Sequence, residues 1–234
     1  MAVAAKTVTM PTRGWRIDRG KAVMVAALCW AGFAAIVWLV HNGRAEQVDR
    51  LGLMFWRATP ALQPAGPKWL LESVRDLTSL GGVLLRNLLA LGAVVALLFL
   101  RLRREATLLT LTIALGWGVE WVIKVLVGRP RPAIVPHLTE AGGSSFPSGH
   151  SFNSAVVYIA IALAFATLST RESVRVTIIG TALVVSLVIA WTRVWLGVHF
   201  PTDVIAGWLG GAGWAFLAAG LLQQPAKELA DKTA

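Results

Sequence analysis

The chain has 234 residues, of which 56% are hydrophobic and only 15% charged, with a mean hydropathy of +0.66. That composition excludes an ordinary soluble domain and predicts an integral membrane protein of one domain, residues 1–234. The net charge of +10 would suit nucleic acid, but the Lys and Arg residues are dispersed at the ends of apolar segments, so the charge is assigned to membrane topology and no nucleic-acid partner is expected.

The amino-terminal stretch carries Lys6, Arg13, Arg16, Arg19 and Lys21, and residues 22–40 are then uncharged for long enough to cross a bilayer. A basic foot followed by a span predicts a first helix anchored on the cytoplasmic side. A cleaved signal peptide would have a shorter apolar core and a small-residue cleavage site, which Trp38-Leu39-Val40-His41 does not provide, so the helix is expected to be retained. Cys29 lies within it as a small packing residue and has no intrachain partner.

From His41 to Leu80 apolar residues such as Val48, Leu51, Phe55, Trp69, Val74 and Leu77 recur at helical spacing among Arg50, Arg57, Lys68 and Arg75. This predicts two amphipathic helices in the membrane interface, packed over the bundle rather than gating lipid entry. Further spans are expected at about 81–100, 106–127, 151–168, 176–193 and 201–222. Arg101, Arg103 and Arg104 mark one cytoplasmic loop, and Arg171 and Arg175 mark another. The fold class is therefore all-α: six transmembrane helices in one bundle, both termini cytoplasmic, with interfacial helices between the first and second spans. Gly207 and Gly211, four apart on the last span, predict a close helix contact. His41 and His137 read as surface residues, and the many tryptophans as an interfacial belt, with Trp191 and Trp195 flanking Arg193.

The remaining polar groups fall at one depth. Lys124, Arg129, Arg131, Ser148, His150, Arg193, His199 and Asp203 all map to the outer ends of spans three to six. A charged side chain in a span costs about 2.5–3.5 kcal/mol on insertion scales, so a cluster of them points to a shared ligand. Pro147-Ser148-Gly149-His150 starts a helix with Ser148 as its N-cap, and the free amides of such a first turn favour an anion. His199 and Asp203 are one turn apart, so the carboxylate can hold the imidazole in one tautomer. Arg131 and Arg193 present planar forks suited to phosphate oxygens, and Lys124 a point charge.

Lys124 followed by Arg131-Pro132, then Pro147-Ser148-Gly149-His150, then Arg193, His199 and Asp203 resemble the three-part signature of the type 2 phosphatidic acid phosphatase superfamily. The one departure is Thr192, where that signature has serine, and the hydroxyl is kept. The resemblance implies that Lys124, Arg131, Arg193, Ser148 and the Gly149 amide bind phosphate, His199 attacks phosphorus, Asp203 orients His199, and His150 protonates the leaving oxygen. It also implies hydrolysis through a phosphohistidine, with no cofactor and no metal. Glu120, one turn before Lys124, either positions that lysine or pairs with it inside the bundle. The implied partners are the bilayer and a membrane lipid phosphate, among them undecaprenyl pyrophosphate, phosphatidylglycerol phosphate, diacylglycerol pyrophosphate and phosphatidate. The expected setting is a bacterial inner membrane with the site facing the periplasm or exterior. A phosphotransferase of the same superfamily stays open beside a hydrolase, and the oligomeric state is left open. An anion transporter could carry the same cations but has no use for the His199–Asp203 pair and a second histidine.

Overall fold

The computed structural model describes Trp15, residues 17–58 and residues 61–222. Lys6, Arg13 and Arg16 of the expected basic foot lie outside the described residues, and Arg19 and Lys21 open the first helix. Among the described residues eight helices follow one another: α1 (Arg19–His41), α2 (Glu46–Met54), α3 (Lys68–Ser79), α4 (Val83–Phe99), α5 (Arg103–Val127), α6 (Gly149–Ala166), α7 (Glu172–Trp195) and α8 (Pro201–Leu222). The departure from a purely helical chain is a small hairpin between α2 and α3, in which β1 (Arg57–Ala58) pairs antiparallel with β2 (Gln63–Pro64).

Among the described residues five helices, α1, α5, α6, α7 and α8, are long and apolar enough to cross a membrane. The 17-residue α4 joins them if it is taken with α3, from which it bends by 45°, so the bundle has five or six candidate spans. These helices begin and end within a few residues of the expected span boundaries, and several of the ends carry a local signal. Asp18 caps α1 through Lys21 N, Gly128 ends α5 in the left-handed conformation, Ser148 caps α6, and Pro201 takes the first position of α8, where a missing N–H is harmless.

Helix α6 is the axis of the bundle, packed against α5, α7 and α8, and α8 also packs along α1. Its residues from Ser151 to Val157 are all buried. Lipid tails are as apolar as leucine, so close packing rather than expulsion from water must hold these helices together. The α6–α8 contact shows how. A Cβ on Gly207 would lie 2.7 Å from the Ser148 carbonyl oxygen, and one on Gly211 would collide with the carbonyl of Phe152. The expected glycine face therefore exists, and it brings the amino-terminal half of α6 into backbone contact with α8. Phe152 is fully buried beside Gly210, and its loss to alanine would cost roughly 3–5 kcal/mol.

Helices α2 and α3 form as expected and pack on α7 and α8. Each buries a polar residue, however: Asp49 from α2 and Thr78 from α3. Trp195 serves packing, buried among Val74, Leu196 and Val198, while Trp191 meets Trp56 edge to face at 5.5 Å. Trp38, Trp69 and Trp121 are exposed, as a belt requires, and so are His41 and His137.

Candidate active site

The loop between α7 and α8 carries His199, and the long loop between α5 and α6 folds over it. His199 is 2% exposed. Arg131, from that long loop, points Nη1 at His199 Nε2 from 3.0 Å. Arginine only donates, so Nε2 is the accepting nitrogen and Nδ1 carries the proton. Arg131 is itself held by the carbonyls of Gly142, Gly143 and Val198 at 2.7, 3.1 and 2.8 Å.

The expected direct grip of Asp203 on His199 is not what the geometry shows. Nδ1 stands 3.7 Å from Asp203 Oδ2, beyond hydrogen-bond reach. Ser145 fills the gap, donating its hydroxyl to Asp203 Oδ2 at 2.5 Å with its oxygen 3.4 Å from His199 Nδ1. The carboxylate acts on the imidazole through a serine. Asp203 is completely buried and accepts further bonds from the Phe200 amide at 2.9 Å and from Arg129 Nη1 at 2.6 Å. The Phe200 bond is one half of a capping box, because Asp203 is the third residue of α8 and reaches back to the residue before Pro201.

Burial pushes the His199 imidazole down to about 4; Asp203 pulls it up, while Arg131 and Arg193 press it further down. At neutral pH the ring is therefore uncharged and Nε2 keeps its lone pair.

The other expected residues converge on the same place. Ser148 is buried, its Oγ accepts from the Ser151 amide and from Ser151 Oγ, and its amide donates to the Asp203 carbonyl at 3.0 Å. Lys124 donates to the Ser144 carbonyl at 2.8 Å and pairs with Glu120 at 3.5 Å. Gly149 is so close to this pair that a Cβ there would stand 2.9 Å from Glu120 Oε1 and 3.6 Å from Lys124 Cε. Arg193 is buried, donates to Thr78 Oγ1 at 2.9 Å, and leaves Nε without a partner. His150 is half-buried on the first turn of α6, with Arg193, His199, Arg86 and Arg131 as the charged or titratable groups that act on it.

Four participants were not expected as such: Ser145, Thr78, Asp49 and the bridging role of Arg129. Ser145 had a signal, its place just before the Pro147–His150 turn. Asp49 and Thr78 had none, because each looks like one more polar residue on an amphipathic helix. The arrangement has a neutral, oriented imidazole, a second histidine on a helix start, and the cations Lys124, Arg131 and Arg193 among those around them. Such a site can bind a phosphate and form a bond from nitrogen to phosphorus.

Comparison with known proteins gives the same direction. The family described as the PAP2 superfamily matches residues 105–226. Phosphatidylglycerophosphatase B of Bacillus subtilis is 35% identical over 160 residues, covering 65% of this chain and 75% of that protein. A lipid A 1-phosphatase of Rhizobium johnstonii is 34% identical over 107 residues, covering 42% of this chain and 40% of that protein. A crystal structure described as the first transmembrane PAP2 type phosphatidylglycerolphosphate phosphatase from Bacillus subtilis superposes with a TM-score of 0.74 at 26% identity, covering 89% of this chain and 97% of that one.

Proposed function

The chain belongs to the PAP2 superfamily, and from that we propose that it hydrolyses a lipid phosphate monoester or pyrophosphate through a phosphohistidine, without a metal, at the outer face of a bacterial inner membrane. The observation that carries the reading is the Arg131–His199 contact: a cation that can bind a phosphate oxygen is already aimed at the nitrogen that would attack phosphorus.

In this reading Lys124, Arg131 and Arg193 neutralise the phosphate, and the orphaned Arg193 Nε is a buried donor that a phosphate oxygen satisfies. Ser148 and the Gly149 amide complete the cradle. His199 Nε2 forms the bond to phosphorus as the bond to the lipid oxygen breaks, and His150 gives that oxygen its proton. The proton on Nδ1 lets Ser145 and Asp203 stabilise the positive ring. Water then attacks phosphorus, His150 takes a proton from it, and His199 leaves with its lone pair restored. The three cations fill the place that Mg²⁺ takes in other phosphoryl transfers, which supports the metal-free reading.

The substrate class follows the relatives and the apolar bundle. Phosphatidylglycerol phosphate is the first candidate, with undecaprenyl pyrophosphate, diacylglycerol pyrophosphate and phosphatidate behind it. The topology that fits is six spans, with α4 crossing alone and α2 and α3 lying at the interface. The test is inorganic phosphate release by purified protein from these four lipids, in EDTA, with and without vanadate. Release from at least one lipid that survives EDTA and is blocked by vanadate is expected. No release from any, or activity that EDTA abolishes and Mg²⁺ restores, overturns the reading.

A further inference from the structure

Asp49 is 1% exposed on a helix whose other acidic residue, Glu46, faces out. Its carboxylate is fully engaged. Oδ1 accepts the Thr202 amide at 3.0 Å, and Oδ2 accepts Thr202 Oγ1 at 2.8 Å and Arg129 Nη2 at 2.7 Å. Arg129 uses its other arm, Nη1, on Asp203 Oδ1 at 2.6 Å and on Thr202 Oγ1 at 2.9 Å, and its guanidinium lies 4.2 Å above the Phe200 ring. One arginine thus bridges two buried carboxylates, and only one of these belongs to the expected machinery.

We propose that Asp49 and Arg129 are positioning residues for the reaction: Asp49 fixes Arg129, and Arg129 fixes the rotamer and charge of Asp203, on which the orientation of His199 depends. The inference rests on the phosphohistidine reading above. An arginine with one carboxylate can swing about that contact, whereas one pinned at both arms and against a ring is confined to a single placement. Asp203 needs such confinement, because its Oδ2 serves Ser145 and the Phe200 amide and its angle decides whether Ser145 still reaches Nδ1. Asp49 also supplies an acceptor to the first-turn Thr202 amide, so α2 caps α8 from outside. A role in capping alone predicts lost stability and nothing else.

Charge separates the two roles. The groups facing His199 are Asp203 from α8, Arg193 from α7, His150 from α6 and Arg131 from the α5–α6 loop. Arg129 stands behind Asp203 and shares its negative charge. Removing the arginine leaves that charge to the imidazole, which favours the imidazolium and raises the pH below which the nucleophile is lost. Removing the Asp49 charge leaves Arg129 less neutralised and moves the same limb down.

The experiment uses purified Asp49→Asn, Arg129→Gln and Arg129→Lys proteins on the lipid that the wild type hydrolyses. Each is expected to lose roughly tenfold to a hundredfold in kcat, the range for partners that orient a functional imidazole, with KM within about twofold of wild type. The acid limb of kcat/KM should rise by about half a pH unit in Arg129→Gln, fall in Asp49→Asn, and stay in Arg129→Lys, which keeps the charge but cannot bridge. If Asp49→Asn does not fold, the contrast between Gln and Lys at position 129 decides. Unchanged kcat, or losses with the same limb in all three, overturns the inference. An inactive wild type instead overturns the reading it rests on.

Discussion

Ser145 donates its hydroxyl to Asp203 Oδ2 at 2.5 Å, and the two residues share a fully buried site. Fifty-eight residues apart in sequence, they form a hydrogen-bonded route by which the carboxylate reaches His199. Ser145→Ala should therefore reduce kcat by roughly tenfold to a thousandfold, between the loss of a hydrogen bond and the loss of a triad member. Ser145→Thr, which keeps the hydroxyl, should recover a large part of it. An alanine variant with wild-type kcat would show that Asp203 acts on His199 directly.

The two histidines should fail differently. In the proposed mechanism His199→Ala removes the attacking nitrogen and should cost at least about a thousandfold in turnover on every substrate. His150→Ala removes a proton carrier, worth roughly a hundredfold to ten-thousandfold, and should matter least when the leaving group is an activated phenolate. The His150 variant should then accumulate labelled phosphoenzyme with an aryl phosphate. Label on the His199→Ala protein would show that the roles are wrongly assigned.

The His199 value of about 4 carries a sign that can be checked. An unfolded imidazole titrates near 6.5, so between about pH 6.5 and 4 the unfolded chain binds a proton that the native state refuses. Stability from this residue is fully present above that window and is lost as pH falls through it. Thermal unfolding in detergent should show wild type losing ground to His199→Gln as pH drops from about 7 to 4.5. A constant difference would mean that the native imidazole titrates as the unfolded one does, and wild type gaining ground as pH drops would mean that His199 is already charged at neutral pH.

The proposed placement of the site on the outer face is tested by accessibility. In a Cys29→Ser background, a cysteine at the exposed His137 should react with a membrane-impermeant thiol reagent added to intact cells, and one at the exposed Arg103 should not. The reverse labelling would put the site in the cytoplasm.

The helices were legible because apolar runs, caps and basic loops are local signals. The cluster from Lys124 to Asp203 was legible because ionised groups have no place among apolar residues unless something binds them. What the sequence hid was every contact that needs the folded chain. Asp49 meets Arg129 across 80 positions and Thr78 meets Arg193 across 115, and helical spacing assigns both to a solvated face. Ser145 had a signal in its place before the Pro147–His150 turn, but its bridging part between His199 and Asp203 was hidden for another reason. The two are one turn apart, which predicts contact, but Asp203 turns its carboxylate toward the start of its own helix to cap Phe200.

The backbone contact of α6 and α8 at Gly207 and Gly211 leaves no rotamer between the helix that carries His150 and the one that begins after His199. That side of the site is a fixed jaw. Arg193 is steadied instead by Thr78 of α3, through a contact between two side chains rather than two backbones. Under the proposed function, substrates of different bulk would be accommodated from the α3 side, where side chains can give and the α6–α8 backbone contact cannot. A methyl at Gly207 would shift the fixed jaw itself and penalise large and small headgroups alike, whereas a change at Thr78 would sort them by size.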